Sequence, residues 1–112
     1  MPTRETTGTE GYERRRHDRV SLPVDAGIYV TSAAGEWIGP VRNLSPGGMF
    51  VQCAVPLPVG AEMRLRLNTP ARHSYEITCA VRFVVAGGVG MEFLQVPRQL
   101  SEAIQSLCAV YA

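Results

Sequence analysis

Residues 62–68, Glu-Met-Arg-Leu-Arg-Leu-Asn, alternate apolar and polar side chains without a break. Successive side chains of a strand point to opposite faces, so this run reads as a half-buried β-strand. Met63, Leu65 and Leu67 face inward and Arg64 and Arg66 face solvent. The same period recurs along the chain. Residues 74–85 put Tyr75, Ile77, Cys79, Val81 and Phe83 on one face, and after a turn at 86–88 Val89, Met91 and Phe93 line another. Upstream, Val24, Ala26, Ile28 and Val30 alternate with Asp25, Gly27, Tyr29 and Thr31. Residues 37–44 read as a second strand interrupted by Gly39-Pro40, where a proline demands an edge or a bulge. Residues 48–55 supply a third strand after the turn at 45–48. With 11 glycines and 8 prolines in 112 residues, there are turn signals enough to separate six short strands. Such a series argues for an all-β antiparallel barrel or sandwich, and closure into a barrel removes exposed strand edges.

The two ends differ from this middle. Residues 1–19 carry only Met1 and Tyr12 as large apolar groups, so they cannot pack a core and are expected to form a flexible arm. Residues 97–112 change period: Leu100, Ile104, Leu107 and Tyr111 recur at helical spacing behind Pro97. This stripe reads as a lid on the barrel, the alternative being a dimer surface. The expected organisation is thus an arm at 1–19, a barrel at 20–96 and a C-terminal α-helix at 97–112.

Charge and chemistry narrow the function. The net charge is only +1, and all 11 basic residues are arginine. The excess is local: residues 14–19 hold Arg14, Arg15, Arg16 and Arg19 against Asp18, while residues 21–112 balance to zero. A sequence-blind nucleic-acid binder needs a broader basic surface, so nucleic acid is not the expected partner. Cys53, Cys79 and Cys108 lack metal-ligand spacing, and His17 and His73 have no ligating partner in sequence, so no metal site is expected. Cys53 and Cys79 fall in apolar runs and read as small core residues. No nucleophile, base and orienting group are placed together, so an enzyme is not expected. No run is long and apolar enough for a membrane span, and the N-terminus lacks a signal-peptide core, which points to a soluble cytoplasmic protein.

Two short patterns remain. Arg15 and Arg19 are four apart, after Arg14. Two guanidinium forks at that spacing can converge on one anion, bind phosphate or the O6/N7 edge of guanine, and stack on a base. A solvated charge run has the same composition. Asn43-Leu44-Ser45-Pro46-Gly47-Gly48 is the second. Asn43 offers an amide suited to a base edge, Ser45 a hydroxyl that can fix its own turn, and Gly47 and Gly48 permit positive φ and leave space for an approaching ligand. An ordinary hairpin turn uses the same residues.

Taken together, the patterns are more specific. Arg15 and Arg19 as RxxxR, then Asn43, Ser45 and Gly48 as [D/N]xSxxG, then Gly-Gly-Met-Phe-Val and a closing Gly-Val-Gly-Met-Glu-Phe, resemble the PilZ family of bacterial cyclic di-GMP receptors. The resemblance runs from about Glu13 to Leu94. It implies a six-stranded antiparallel β-barrel whose arginine arm folds over ligand at the barrel's outer surface. It implies that Arg15 and Arg19 grip phosphates and guanine, that Asn43 contacts a guanine edge, that Ser45 binds ligand or orders the loop, and that Gly48 keeps the turn open. Arg14 before the motif goes with binding a stacked pair of ligand molecules. The implied function is a stand-alone, non-enzymatic receptor with no cofactor beyond its ligand cyclic di-GMP. It would act as a monomer or weak homodimer and signal to a downstream protein in motility, adhesion or exopolysaccharide control. A PilZ-fold adaptor that binds no cyclic di-GMP is the alternative.

Overall fold

The computed structural model describes residues 19–112. Through them run β1 (Val20–Ser21), a 3-10 turn (Val24–Ala26), β2 (Tyr29–Ser32), β3 (Trp37–Ser45), β4 (Gly48–Gln52), β5 (Glu62–Asn68), β6 (Ser74–Val85), β7 (Gly88–Gln95) and α1 (Arg98–Tyr111). Each strand in the order β3–β2–β5–β6–β7–β4 pairs antiparallel with the next, and β4 pairs again with β3. Six strands therefore close into the barrel that alternation and turn spacing anticipate. The addition is β1, which lies along β3 with Val20 opposite Leu44 and Ser21 opposite Asn43.

Three departures from strict alternation reposition residues read from the sequence or the motif strand, each with a local cause. The run from Val24 to Val30 is not one strand. Pro23 has no N–H for a ladder, its carbonyl accepts from the Ala26 N–H at 3.0 Å, and Gly27 ends the turn with φ of 77°. Val24, expected inward, is consequently 69% exposed, while Ala26, Ile28 and Val30 are buried. In β3, the register against β2 skips Ile38 and the register against β4 skips Arg42, so bulges flank Gly39-Pro40-Val41. Val41 N–H donates to Ile28 carbonyl at 2.9 Å. Pro40's missing donor thus faces the other side, where pairing with β4 starts only at Val41.

The third departure is in β6. Ile77, Cys79 and Val81 face the core as alternation requires. The pairing with β7 then steps from Val81–Met91 to Phe83–Gly90, leaving Arg82 as a bulge. The extra residue reverses the faces beyond it, so Phe83, expected inside, is 50% exposed on the outer surface.

The interior is filled by Val30, Val41, Leu44, Val51, Leu65, Leu67 and Val89, each fully buried. Leu100 and Ile104 of α1 join them, and Leu107, Cys108 and Tyr111 pack against the same core. The helix thus buries its stripe on its own barrel, over β1 and β3, as a lid. Its N-terminus is stitched by Ser101 N–H donating to Pro97 carbonyl at 2.9 Å. Among the described residues, no helix is long and apolar enough to cross a membrane.

Two measurements follow from the packing. Leu65→Ala removes a fully buried side chain and is expected to lower unfolding free energy by about 2–5 kcal/mol. Arg64 forms only an exposed pair with Glu76, at 3.8 Å, so Arg64→Ala should lie within about 0.5 kcal/mol of the parent in urea titrations. Cys79 tests the interior differently. Burial pushes its thiol from 9.0 to about 12. Below pH 9 the thiol is protonated in both folded and unfolded chains, and its favourable contribution is complete. Between 9 and 12 the unfolded chain loses the proton and the folded chain keeps it, so stability falls. Urea unfolding should show this decline in the parent and a shallower one in Cys79→Ala.

Candidate functional site

The strands β3 and β4 form a tight hairpin. Ser45 pairs with Gly48 across a two-residue loop, Pro46-Gly47. The Ser45 hydroxyl donates to the Gly48 carbonyl at 3.3 Å, which ties the loop to itself. The loop is also tied to the next strand, because Phe93 N–H donates to the Gly47 carbonyl at 2.9 Å. Both glycines permit positive φ, and neither uses it. Their roles separate on space instead. A Cβ at Gly47 would meet nothing, whereas a Cβ at Gly48 would drive into the backbone carbonyl of Met91. Gly48 is therefore demanded by the close approach of β4 to β7, not by the conformation of the turn.

Asn43 stands on β3 opposite Ser21, whose hydroxyl donates to Asn43 Oδ1 at 3.2 Å. That bond orients the amide while its two N–H donors remain suited to a ligand's acceptors. Leu44, between Asn43 and Ser45, points the opposite way and is fully buried. Cys108 of α1 donates from its Sγ to the Leu44 carbonyl at 3.7 Å. The lid helix thus braces the backbone between the two polar residues of the motif from behind.

Arg19, just before β1, reaches the same surface. It lines a cavity of about 550 Å³ with Asn43, Ser45, Pro46, Gly47 and Gly48. The structure thus gathers five of the seven residues singled out in sequence around one concavity; Arg14 and Arg15, like all of the proposed arm before Arg19, lie outside the described residues. A larger depression of about 730 Å³ between β5, β6 and the start of α1 has only Arg64 as a cation, and that arginine faces Glu76. It offers no comparable set of anion and base partners.

The far wall of the cavity was not visible as a site in the sequence. It is built by Phe50 of β4, Arg82 and Phe83 of β6, and Gly90 and Glu92 of β7. Phe50 and Phe83 both pair with Gly90, from its two sides, so the three stand in one row across the sheet. The rings stack with centroids 6.2 Å apart and planes at 25°. They lie over β7 where a Cβ on Gly90 would collide with Phe83 and one on Gly88 with Phe50. Arg82 forms an ion pair with Glu92 beside them. The alternation that placed Phe83 inside hid this wall; the only clue was the pair of glycines in Gly88-Val89-Gly90, with no side chain to fill the outer face.

Against known proteins, the PilZ domain model matches residues 13–110. The chain belongs to the PilZ domain family, whose members are non-catalytic receptor modules. Solved structures agree on the fold. The PilZ domain of YcgR from Escherichia coli with c-di-GMP is 18% identical, with a TM-score of 0.64, covering 83% of this chain and 87% of that one. A longer chain of YcgR from the same organism, in complex with c-di-GMP, gives 17% and 0.64, and the match spans 82% of this chain but only 43% of that one. The PilZ domain of CeSA from a cellulose-synthesizing bacterium is 17% identical, with a TM-score of 0.59, over 82% of this chain and 95% of that domain. No curated protein matches the sequence. Among the described residues, no cluster of histidine, cysteine or carboxylate side chains could hold a metal ion.

The two glycines of the hairpin offer a direct check on the geometry. Gly48→Ala should cost about 1–3 kcal/mol, the usual penalty for forcing atoms into a packed site, and should weaken ligand binding with it. Gly47→Ala should be close to neutral in thermal melting. Equal melting temperatures for the two variants would show that β4 and β7 are not as close as described.

Proposed function

We propose that this chain is a cyclic di-GMP receptor that passes ligand occupancy to a protein partner, in control of motility, adhesion or exopolysaccharide. The observation that carries the reading is the convergence of Arg19, Asn43, Ser45 and Gly48 on one cavity. Cyclic di-GMP presents two phosphates and two guanines. A guanidinium fork satisfies either group, and an amide satisfies a base edge. The relatives solved with c-di-GMP support the same choice of ligand. Arg14 and Arg15 are assigned to the ligand as well, Arg15 as the partner of Arg19 and Arg14 toward a second ligand molecule. Their segment, with residues 1–19 as an arm, 20–96 as the barrel and 97–112 as the lid, would bring positive charge to the cavity rim. A cytoplasmic setting and action as a monomer or weak homodimer complete the proposal.

Signal output would follow from geometry. A ligand held between residues 14–19 and the hairpin covers β1 and the edge of β3, which α1 braces from the inside. A partner could read the new surface or the adjoining helix.

Titration calorimetry tests the reading. Cyclic di-GMP should bind the parent and GMP should bind far more weakly, since it offers one base and one phosphate. Arg19→Ala, Arg15→Ala and Asn43→Ala should each lose about five- to a hundredfold in affinity, the usual range for one bidentate base contact, with melting unchanged for the arginine variants. Binding should weaken with added salt, because phosphate contacts contribute. Absence of any heat with cyclic di-GMP would instead favour the adaptor that binds no nucleotide.

A further inference from the structure

We propose that Phe50 and Phe83, laid over Gly88 and Gly90, are a stacking platform for a purine base, and that Arg82 and Glu92 beside it select guanine. The inference rests on the reading of this cavity as a nucleotide site and deepens it, since neither sequence motif includes these residues. The bulge at Arg82 is the first observation. It turns Phe83 out of the core, where alternation would have buried it, and sets it 50% exposed against the cavity. Bulges that re-aim a side chain cluster at binding sites. The second is the glycine beneath the ring. Gly90 has no side chain to hold the ring away from the sheet, and its neighbours in the row are both phenylalanines. The result is a flat apolar surface beside polar groups, which suits a base because every base has a π face.

Arg82 and Glu92 supply the edge chemistry. Both contacts from Arg82 go to Glu92 Oε1, and both side chains are about half exposed. The carboxylate keeps Oε2 as an acceptor, and the guanidinium has five N–H donors, more than one oxygen can take. Guanine presents O6 and N7 as acceptors next to N1–H and N2–H as donors. A guanidinium beside a carboxylate complements that sequence of groups. Adenine presents a donor at N6 and an acceptor at N1, and meets the wrong partner at each. The ion pair also keeps an unpaired carboxylate from facing a phosphate.

A covering role for Phe83 alone would protect Gly90 without touching a ligand, and the variants separate the two. Phe83→Leu keeps an apolar cover but removes the π face. It should melt near the parent and bind cyclic di-GMP about tenfold more weakly, the scale of one base–aromatic stack. Phe83→Trp should retain affinity, and in a Trp37→Phe background its fluorescence should be quenched by cyclic di-GMP. Glu92→Gln should narrow the preference for cyclic di-GMP over cyclic di-AMP. Parental affinity in Phe83→Leu, or an indole signal that ligand leaves unchanged, overturns the platform while leaving the cavity reading intact. Unaltered selectivity in Glu92→Gln overturns the assignment of the guanine edge. A parent that binds no cyclic di-GMP overturns the cavity reading and the platform with it.

Discussion

Everything at the cavity depends on how β3 shares its hydrogen bonds. Its first half pairs with β2, and its second half lies between β1 and β4. One strand therefore closes the barrel and carries the polar motif. The transfer from one neighbour to the other happens at Gly39-Pro40-Val41, between two bulges. Proline is the residue that tolerates this position, because a strand changing partners has a stretch where one side of its backbone is unpaired. At the second bulge, Arg42 donates from Nε to the Leu22 carbonyl at 3.3 Å and from Nη1 to Gln52 Oε1 at 2.9 Å. These bonds hold β1 and β4 on either side of β3, where Asn43 and Ser45 emerge.

From that point the site is rigid for ordinary packing reasons. Leu44 is buried between the two polar residues, so the backbone that carries them cannot turn over without lifting a leucine out of the core, worth about 1.5–3 kcal/mol in transfer terms alone. The helix contributes through its contacts with β1, β3 and the Leu44 carbonyl. Gly48 locks the hairpin against β7 by letting the two backbones approach. The hairpin, the lid and the far wall are thereby parts of one packed body. Ligand contact at Asn43 and a partner's contact at α1 would act on the same strand from its two faces.

The period-2 runs made the barrel legible, because a strand with one wet face and one dry face must alternate. Residues 62–68 follow that rule and were readable residue by residue, and Val89, Met91 and Phe93 were read correctly as inward. The rule failed where an unpaired residue intervenes. Nothing in the local composition of Val-Arg-Phe-Val announces a bulge, and its position depends on β7, whose glycines accept the phenylalanine rings. Val24 failed for another reason: Pro23, Asp25 and Gly27 carry turn chemistry that outweighs a four-residue alternation. At the site, spacing pointed to Asn43, Ser45 and Gly48, since these are contiguous in sequence. The opposite wall comes from three strands, and only their pairing brings Phe50, Phe83 and Glu92 together.

The charge layout explains why such a cavity would favour a small anion over a long one. Arg64 and Arg82 of the barrel face Glu76 and Glu92, Arg98 of α1 faces Glu102, and the net charge of residues 21–112 is zero. A polyanion needs cations spaced along its backbone, with affinity built up phosphate by phosphate. Here the surplus lies in the 14–19 segment of the sequence, whose last residue, Arg19, lines the cavity together with Arg82. At physiological salt, charges separated by more than about 8 Å scarcely feel each other, so among the described cations it is Arg19 and Arg82, in the cavity lining, that act on what the cavity holds. On the proposed reading, that field would suit a compact ligand with two phosphates. The aromatic row and the Arg82–Glu92 pair would then discriminate by shape and hydrogen bonding, which salt does not screen. Charge would draw the anion in, and the far wall would decide which base stays.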